Sequence, residues 1–357
     1  MVKRDLIVAI GEVVVDWIST TPGLDINNAV DFSRCPGGNA LNVAIAAARL
    51  GAPARLIAKT GQDLHGEFIR EGLKRENVEV KYLLSDREHP TAQCYAVRDS
   101  QDEATYYNWP RPNAADMLNP IDIGYDAVEN AYALHATGIA FSREPRRSAV
   151  LCALELARHQ QTIVSFDASF PPARSAAAKA DARRAMHMAD CVKVNLSELL
   201  FWTNTEKPIE KLTKMLIQSN FELNDLRNAF LKGLIDSFRS EHFPPILLLT
   251  LGRHGSYVIR QEDNIYCPPM KVTPTSSIGA GDGYIAGLLV ELARRQVTRD
   301  ELVALPAGKW KYLGMLANAC GALSTRKLTA LDSFPSMPEV MELLSQRPEL
   351  RSDGTSI

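Results

Sequence analysis

The sequence predicts an α/β fold: a mostly parallel central sheet with helices on both faces and a small second β layer. Three observations carry this. Short apolar runs suited to buried strands alternate with helix-period segments along most of the chain. A hairpin signal at 91–107 interrupts that rhythm once. The chain has 357 residues, 46% of them hydrophobic, enough to fill one large core.

The elements follow in order. Residues 5–18 read as a buried strand. NALNVAIAAARLG (39–51) is an alanine-rich helix closed by Gly51, a residue suited to a helix end. ARLIAKTG (54–61) is a strand and LHGEFIREGLKREN (64–77) an amphipathic helix. TAQCYAVRDSQDEATYY (91–107) places two β-rich runs around the polar turn SQDE. YALHATG (132–138) is a strand, followed by a helix near 145–159, the strand TIVSFDAS (162–169) and a helix near 176–189. CVKVN (191–195) is a strand and a helix starts at Leu196. Residues 203–244 are charged and helix-like, without a strand, as in a surface excursion. ILLLTLG (246–252) is a buried strand, and the run after Asp282 is a helix, with Ile285, Leu288, Leu289 and Leu292 on one face.

Composition narrows the function. A net charge of −2 gives no field that favours nucleic acid or an anionic membrane. Six cysteines are scattered without a CxxC pair, which fits reduced thiols in a cytoplasmic protein better than a zinc site or a disulfide framework. The apolar start is broken by Glu12 and Asp16, so it reads as a strand, not a signal peptide or membrane span.

SSIGAGDGYIAGLL (276–289) carries the chemistry. Gly279, Ala280 and Gly281 let backbone N–H groups approach an anion, and the helix behind them aims its positive end at the same point. Asp282 stands beside that hole, as transfer of a phosphoryl group to a hydroxyl requires. The same residues also suit a plain strand-to-helix turn with Asp282 as N-cap. In PGGNALN (36–42), Gly37 and Gly38 permit close ligand approach, and Asn39 and Asn42 offer the two-way hydrogen bonding a polyol needs. A plain helix start capped by Asn39 explains them equally. Asp16, after VVVD, stands where a strand's carboxyl end would meet ligand, or simply forms a turn. Asn195 and Glu198 share one helical face, suited either to Mg²⁺ or to a capping box. TLGRHG (250–255) is a nucleotide cradle or an ordinary hairpin turn.

Taken together and in this order, GG-x-x-x-N, N-x-x-E, T-x-G-x-x-G and GAGD resemble the PfkB family of carbohydrate kinases, over nearly all of residues 5–345. GEVVVDWI, WPRPNAADML (109–118), LHATGIAFS and ANACGALSTRK (317–327) resemble the fructokinases within it. The resemblance implies a Rossmann-like three-layer sandwich spanning 1–357 as one domain, with a β-lid from segments near 12–36 and 90–112 and a helical insertion at 203–244. It implies transfer of the γ-phosphoryl group of ATP to a sugar hydroxyl, most simply fructose to fructose 6-phosphate, with Mg²⁺. The other acceptors it leaves open are a 2-keto-3-deoxy acid such as 2-keto-3-deoxygluconate, inosine or another ketose. By resemblance Asp282 is the general base, and Gly279, Ala280 and Gly281 form the anion hole. Asp16, Gly38, Asn42 and Arg111 bind sugar. Asn195, Thr250, Gly252, Gly255 and Asn318 bind nucleotide, and Glu198 holds Mg²⁺ through water. The lid would also allow a homodimer.

Three departures qualify this. Ser276, Ser277 and Ile278 stand where the family usually has Asp-Thr-Thr, so the carboxylate that recruits a monovalent cation is missing. Asp167-Ala168-Ser169-Phe170-Pro171 replaces the D-P-N-x-R usual in fructokinases, with Arg174 displaced. The stretch 203–244 is longer than usual. These departures support the rival expectation of a catalytically weak family member that works as a binding or scaffold protein.

Overall fold

The first apolar run breaks in two at Gly11, and its halves enter different sheets. The computed structural model describes residues 4–98, 104–169, 175–242, 244–260 and 263–347. In chain order the first elements are β1 (Leu6–Ile10), β2 (Val14–Ser19), β3 (Phe32–Gly37), α1 (Asn39–Arg49), β4 (Ala54–Gly61), α2 (Leu64–Arg75), β5 (Val78–Glu79), β6 (Leu83–Asp86), β7 (Gln93–Arg98) and β8 (Ala104–Trp109). There follow β9 (Ala131–Thr137), α3 (Arg146–His159), β10 (Ile163–Asp167), α4 (Ala176–Met188), β11 (Cys191–Asn195), α5 (Leu196–Trp202), α6 (Ile209–Gln218), α7 (Ala229–His242) and β12 (Ile246–Thr250). The chain continues through β13 (Ser256–Ile259), β14 (Asn264–Cys267), α8 (Ala280–Arg294), α9 (Glu301–Ala304), α10 (Ala307–Leu323), α11 (Ala330–Ser333) and α12 (Met337–Ser345).

The large sheet runs β14-β13-β12-β11-β10-β9-β1-β4-β5, with β6 also pairing β4. From β12 to β5 every pairing is parallel, and only β13 and β14 are antiparallel. Parallel strands need both faces covered, and the packing shows this. One core gathers α1, α8 and α10 against one face of the sheet; the other gathers α3, α4, α5 and α7 against the opposite face. This is the three-layer α/β sandwich expected.

The second sheet has four strands in the order β3-β2-β7-β8. Its β7–β8 hairpin matches the expected one. The expected turn at 100–103 lies outside the described residues, as do Phe170, Pro171 and Arg174. Across 203–244 the chain forms α6 and α7 and no strand among the described residues. Their apolar sides are not merely superficial: Leu212, Leu216, Leu231, Ile235 and Phe238 are buried in the second core.

Two sequence expectations need correction. Asp16 is not at the carboxyl end of a strand of the large sheet; it lies inside β2, paired to Cys35 and Cys94 of its neighbours. Asn39 does not cap α1, because Gly38 occupies that position and Asn39 is the first helical residue.

Candidate active site

The parallel strands end along one edge, at Ile10, Thr137, Asp167, Asn195 and Thr250. In open α/β sheets this edge is the ligand crevice. Helix α8 starts above it. Its N-cap is Gly279 in the left-handed region (φ 83°), which a residue with a Cβ enters only with strain. Asp282 is therefore the third residue of the helix, not its cap. The Ala280 N–H closes a turn onto the Ser277 carbonyl at 3.3 Å. No partner is described for the Gly281 N–H, so it remains at the positive end of a fifteen-residue helix.

Asp282 is buried, and Asn42 of α1 donates from Nδ2 to its Oδ2 at 2.9 Å. Burial pushes its pKa up to about 7; the Asn42 hydrogen bond opposes this, Asp167 adds to it, Lys193 opposes and Glu12 adds. A carboxylate poised near neutrality is what proton abstraction from a hydroxyl asks for. The Oδ1 of Asn42 is buried without a partner. Asn42 thus orients the Asp282 carboxylate and keeps an acceptor free.

Beneath the helix lies a charge cluster of which the sequence reading named only Glu198 as a site residue. Lys193, in the middle of β11, places Nζ 3.1 and 3.0 Å from the two oxygens of Asp167 and 3.6 Å from Glu198 Oε2. All three are buried. Burial opposes the lysine charge, but Asp167 and Glu198 outweigh it and push its pKa up. A Cβ added to Gly281 would fall 3.3 Å from Nζ, so the glycine lets the ammonium lie directly under the helix start. Asn195 and Glu198 form a capping box: Glu198 N donates to Asn195 Oδ1 at 2.8 Å, and Asn195 N donates to Glu198 Oε2 at 2.7 Å. Burial raises the Glu198 pKa, with Lys193 opposing. The capping and charge roles coexist. Glu198 Oε2 is committed to the Asn195 N–H, which leaves the other carboxylate oxygen as the donor that would meet a water of a hydrated divalent ion.

The small sheet contributes from the other side. Asp16 lies over Gly37, where a Cβ would fall 1.8 Å from its Oδ2. Burial pushes its pKa up to about 7, with Glu12 adding. Gly38 (φ 102°) meets the Glu12 carbonyl, and the Glu12 side chain accepts the Asn39 N–H at 3.0 Å. Cross-strand register puts Tyr106 on the Asp16 face, one row along: Ile18, Ala96 and Tyr106 follow Asp16, Cys94 and Asn108. The Tyr106 phenol pKa is raised, chiefly by loss of water, with Asp16, Cys94 and Asp282 adding, although half of the residue's surface stays exposed. Arg111 is exposed on the segment leaving β8.

Thr250 ends β12 beside Asn195. Gly252 and Gly255, both at positive φ, make the turn into β13. Asn318 of α10 donates to the Cys267 and Pro268 carbonyls at 2.9 and 3.1 Å, so its amide nitrogen is spent on shaping the loop after β14. Ser276 is buried and its Oγ accepts the Ile278 N–H at 3.3 Å, folding back on its own loop. Ile278 packs on Ile18, Cys35 and Ala96 of the small sheet. This loop supplies an apolar contact and no charge for a monovalent cation.

Lys193, Asp167, Glu12 and Tyr106 were the residues sequence reasoning missed. The available signal was a charge set inside apolar strand sequence, CVKVN and IGEVV, where burial demands a partner.

A near-neutral carboxylate beside a helix start, backed by a buried ammonium on a three-layer α/β scaffold, is the arrangement of a phosphotransferase. The sequence profile described as pfkB family carbohydrate kinase matches residues 4–337, and the chain belongs to that family. It is a carbohydrate kinase. It is 29% identical over 347 residues to a probable fructokinase-4 of Arabidopsis thaliana, covering 96% of this chain and 97% of that protein. It is 28% identical to fructokinase-1 of Oryza sativa subsp. japonica, covering 96% and 98%. Among solved structures, fructokinase from Xylella fastidiosa with bound ATP superposes at a TM-score of 0.80, 21% identity, covering 97% and 99%. Fructokinase from Vibrio cholerae O395, with fructose, ADP and calcium bound, superposes at 0.74 and 26% identity, covering 96% and 99%. No helix among the described residues is long and apolar enough to cross a membrane.

Proposed function

We propose that the protein is an ATP-dependent fructokinase that transfers the γ-phosphoryl group to the 6-hydroxyl of fructose. The observation that carries this is Asp282: buried, held by Asn42, with a pKa near 7, beside the open start of α8. Asp282 takes the hydroxyl proton as the sugar oxygen attacks. The Gly281 N–H and the Lys193 ammonium stabilise charge on the moving phosphoryl group. Asn195 and Glu198 would orient a hydrated Mg²⁺, which when bound supplies charge to offset the nucleotide phosphates, and Thr250, Gly252 and Gly255 would border the nucleotide. Asp16 and Asn42 hold sugar hydroxyls, and the four-stranded sheet closes over them as a lid that excludes competing water. The fructokinase relatives support fructose as acceptor.

A second acceptor class has its own motive. Arg111 is exposed on the segment leaving the small sheet, and its guanidinium suits the carboxylate of a 2-keto-3-deoxy acid. The test is ADP release from MgATP with a panel of sugars, with and without K⁺. Turnover with fructose supports the proposal. Turnover with 2-keto-3-deoxygluconate and not fructose replaces the sugar. Intact ATP binding with no sugar-dependent ADP would refute kinase activity and leave a binding or scaffold role.

A further inference from the structure

Arg146 is a buried guanidinium that phosphoryl transfer does not use. It stands in the first turn of α3, 3% exposed, with its donors engaged on two sides. Toward the large sheet, Nε donates to the Ala140 carbonyl at 3.0 Å, and Nη2 donates to Ser142 Oγ at 2.7 Å and the Ile139 carbonyl at 3.3 Å. On the other side, Nη1 donates to the Ala115 carbonyl at 2.9 Å and lies 3.2 Å from Asp116 Oδ1, in the segment whose Ala115 packs on Val14 and Cys94 of the small sheet. Ala115 and Asp116 are where the chain re-enters the large body after β8.

The chain passes between the sheets at 11–13, at Gly38, at 87–92 and at 110–113. These passages are tied in pairs. Glu12 joins the first to the second through the Asn39 N–H. Ala114 N donates to the Pro90 carbonyl at 2.9 Å and joins the third to the fourth. Arg146 stands between the pairs. It grips Ala115 and Asp116, which directly follow the fourth passage, and its charge bears on Glu12, whose Oε2 is buried without a partner. A rigid fork of five N–H donors can span such a junction; a lysine cannot. Buried ion pairs add little net stability and are best attested as devices that fix register.

We propose that Arg146 is the pin of the hinge between the two sheets, and that its pair with Asp116 sets the position from which the small sheet closes on the sugar. This rests on the reading of that sheet as a lid. Arg146 is a positioning residue: Asp16 and Arg111 lie on the small-sheet side of the pin, Asp282 and Lys193 on the body side. Loosening it weakens sugar binding and water exclusion while leaving nucleotide binding alone.

The test uses Asp116→Asn, which keeps size and removes charge, and Arg146→Lys, which keeps charge and removes the fork. With MgATP and the sugar the parent enzyme phosphorylates, four quantities are read: sugar KM, ATP KM, kcat, and the fraction of ATP hydrolysed without sugar phosphate. The expected result is a sugar KM raised on the order of tenfold, an ATP KM within about twofold, and a larger uncoupled fraction. Unchanged values in both variants overturn the proposal, and so does a fall in kcat with both KM values unchanged. Should both variants fail to fold, Arg143→Gln decides. Its guanidinium is half-exposed, with Nε 3.8 Å from Asp116 Oδ2. The same pattern at about two- to threefold upholds the pin, and no change overturns it. A parent that phosphorylates no sugar overturns the kinase reading, and the pin with it. A working parent beside indistinguishable variants overturns the pin alone.

Discussion

The two walls of the cleft are built on opposite terms. On the body side the reacting groups have described partners: Lys193 is held by Asp167 and Glu198, and Asp282 by Asn42. On the small-sheet side Asp16 has no described hydrogen-bond partner, Tyr106 is 52% exposed and Arg111 is exposed. Developing charge in phosphoryl transfer is stabilised best by groups that need not move, so the body wall is preassembled. Under the proposed function, sugar recognition waits for closure, and the facing wall offers groups for the substrate to satisfy.

That contrast can be broken by substitution. The largest effect belongs to Asp282→Asn, which keeps size but cannot accept the proton; kcat measured by ADP release is expected to fall roughly 10²–10⁴-fold. Lys193→Met comes next. Its kcat is expected to drop about 10²-fold, and urea melts should show a loss of about 3 kcal/mol, because Asp167 and Glu198 are left buried and unpaired. Across the cleft, Asp16→Asn should act on the other parameter: sugar KM rises about tenfold while ATP KM holds. Equal effects on kcat and KM from Lys193 and Asp16 variants would erase the distinction between the walls. The smallest expected effect is that of K⁺. Ser276 brings no charge and Ile278 packs the loop on apolar residues, so replacing K⁺ with a bulky organic cation should leave the rate unchanged. A steep K⁺ requirement would show that backbone oxygens suffice for the cation.

Much of the body wall was legible in the sequence. The three-layer fold followed from alternating strand and helix periods, and α8 from small residues leading into a one-faced apolar run. The facing wall was less so. Val14–Ser19 continues the apolar run of β1, and only the break at Gly11 sends it to another sheet. Phe32–Gly37 contains Pro36 and Gly37, which read as loop, yet it pairs along all of β2. Strands β13 and β14 have four residues each, too short for period to declare them. Lys193 was hidden for a different reason: its meaning lies in Asp167, on the neighbouring strand and 26 residues earlier.

The pH dependence of kcat/KM tests most directly whether Asp282 is a base tuned by burial. Burial raises its pKa to about 7, so the free enzyme carries the unprotonated base only above that pH. The predicted profile has an acidic limb bending near pH 7 that survives Asp16→Asn, whose carboxyl is also raised, and disappears from the residual rate of Asp282→Asn. A parent profile flat from about pH 5 to pH 8 would mean a carboxylate titrating at its ordinary value, and would contradict it.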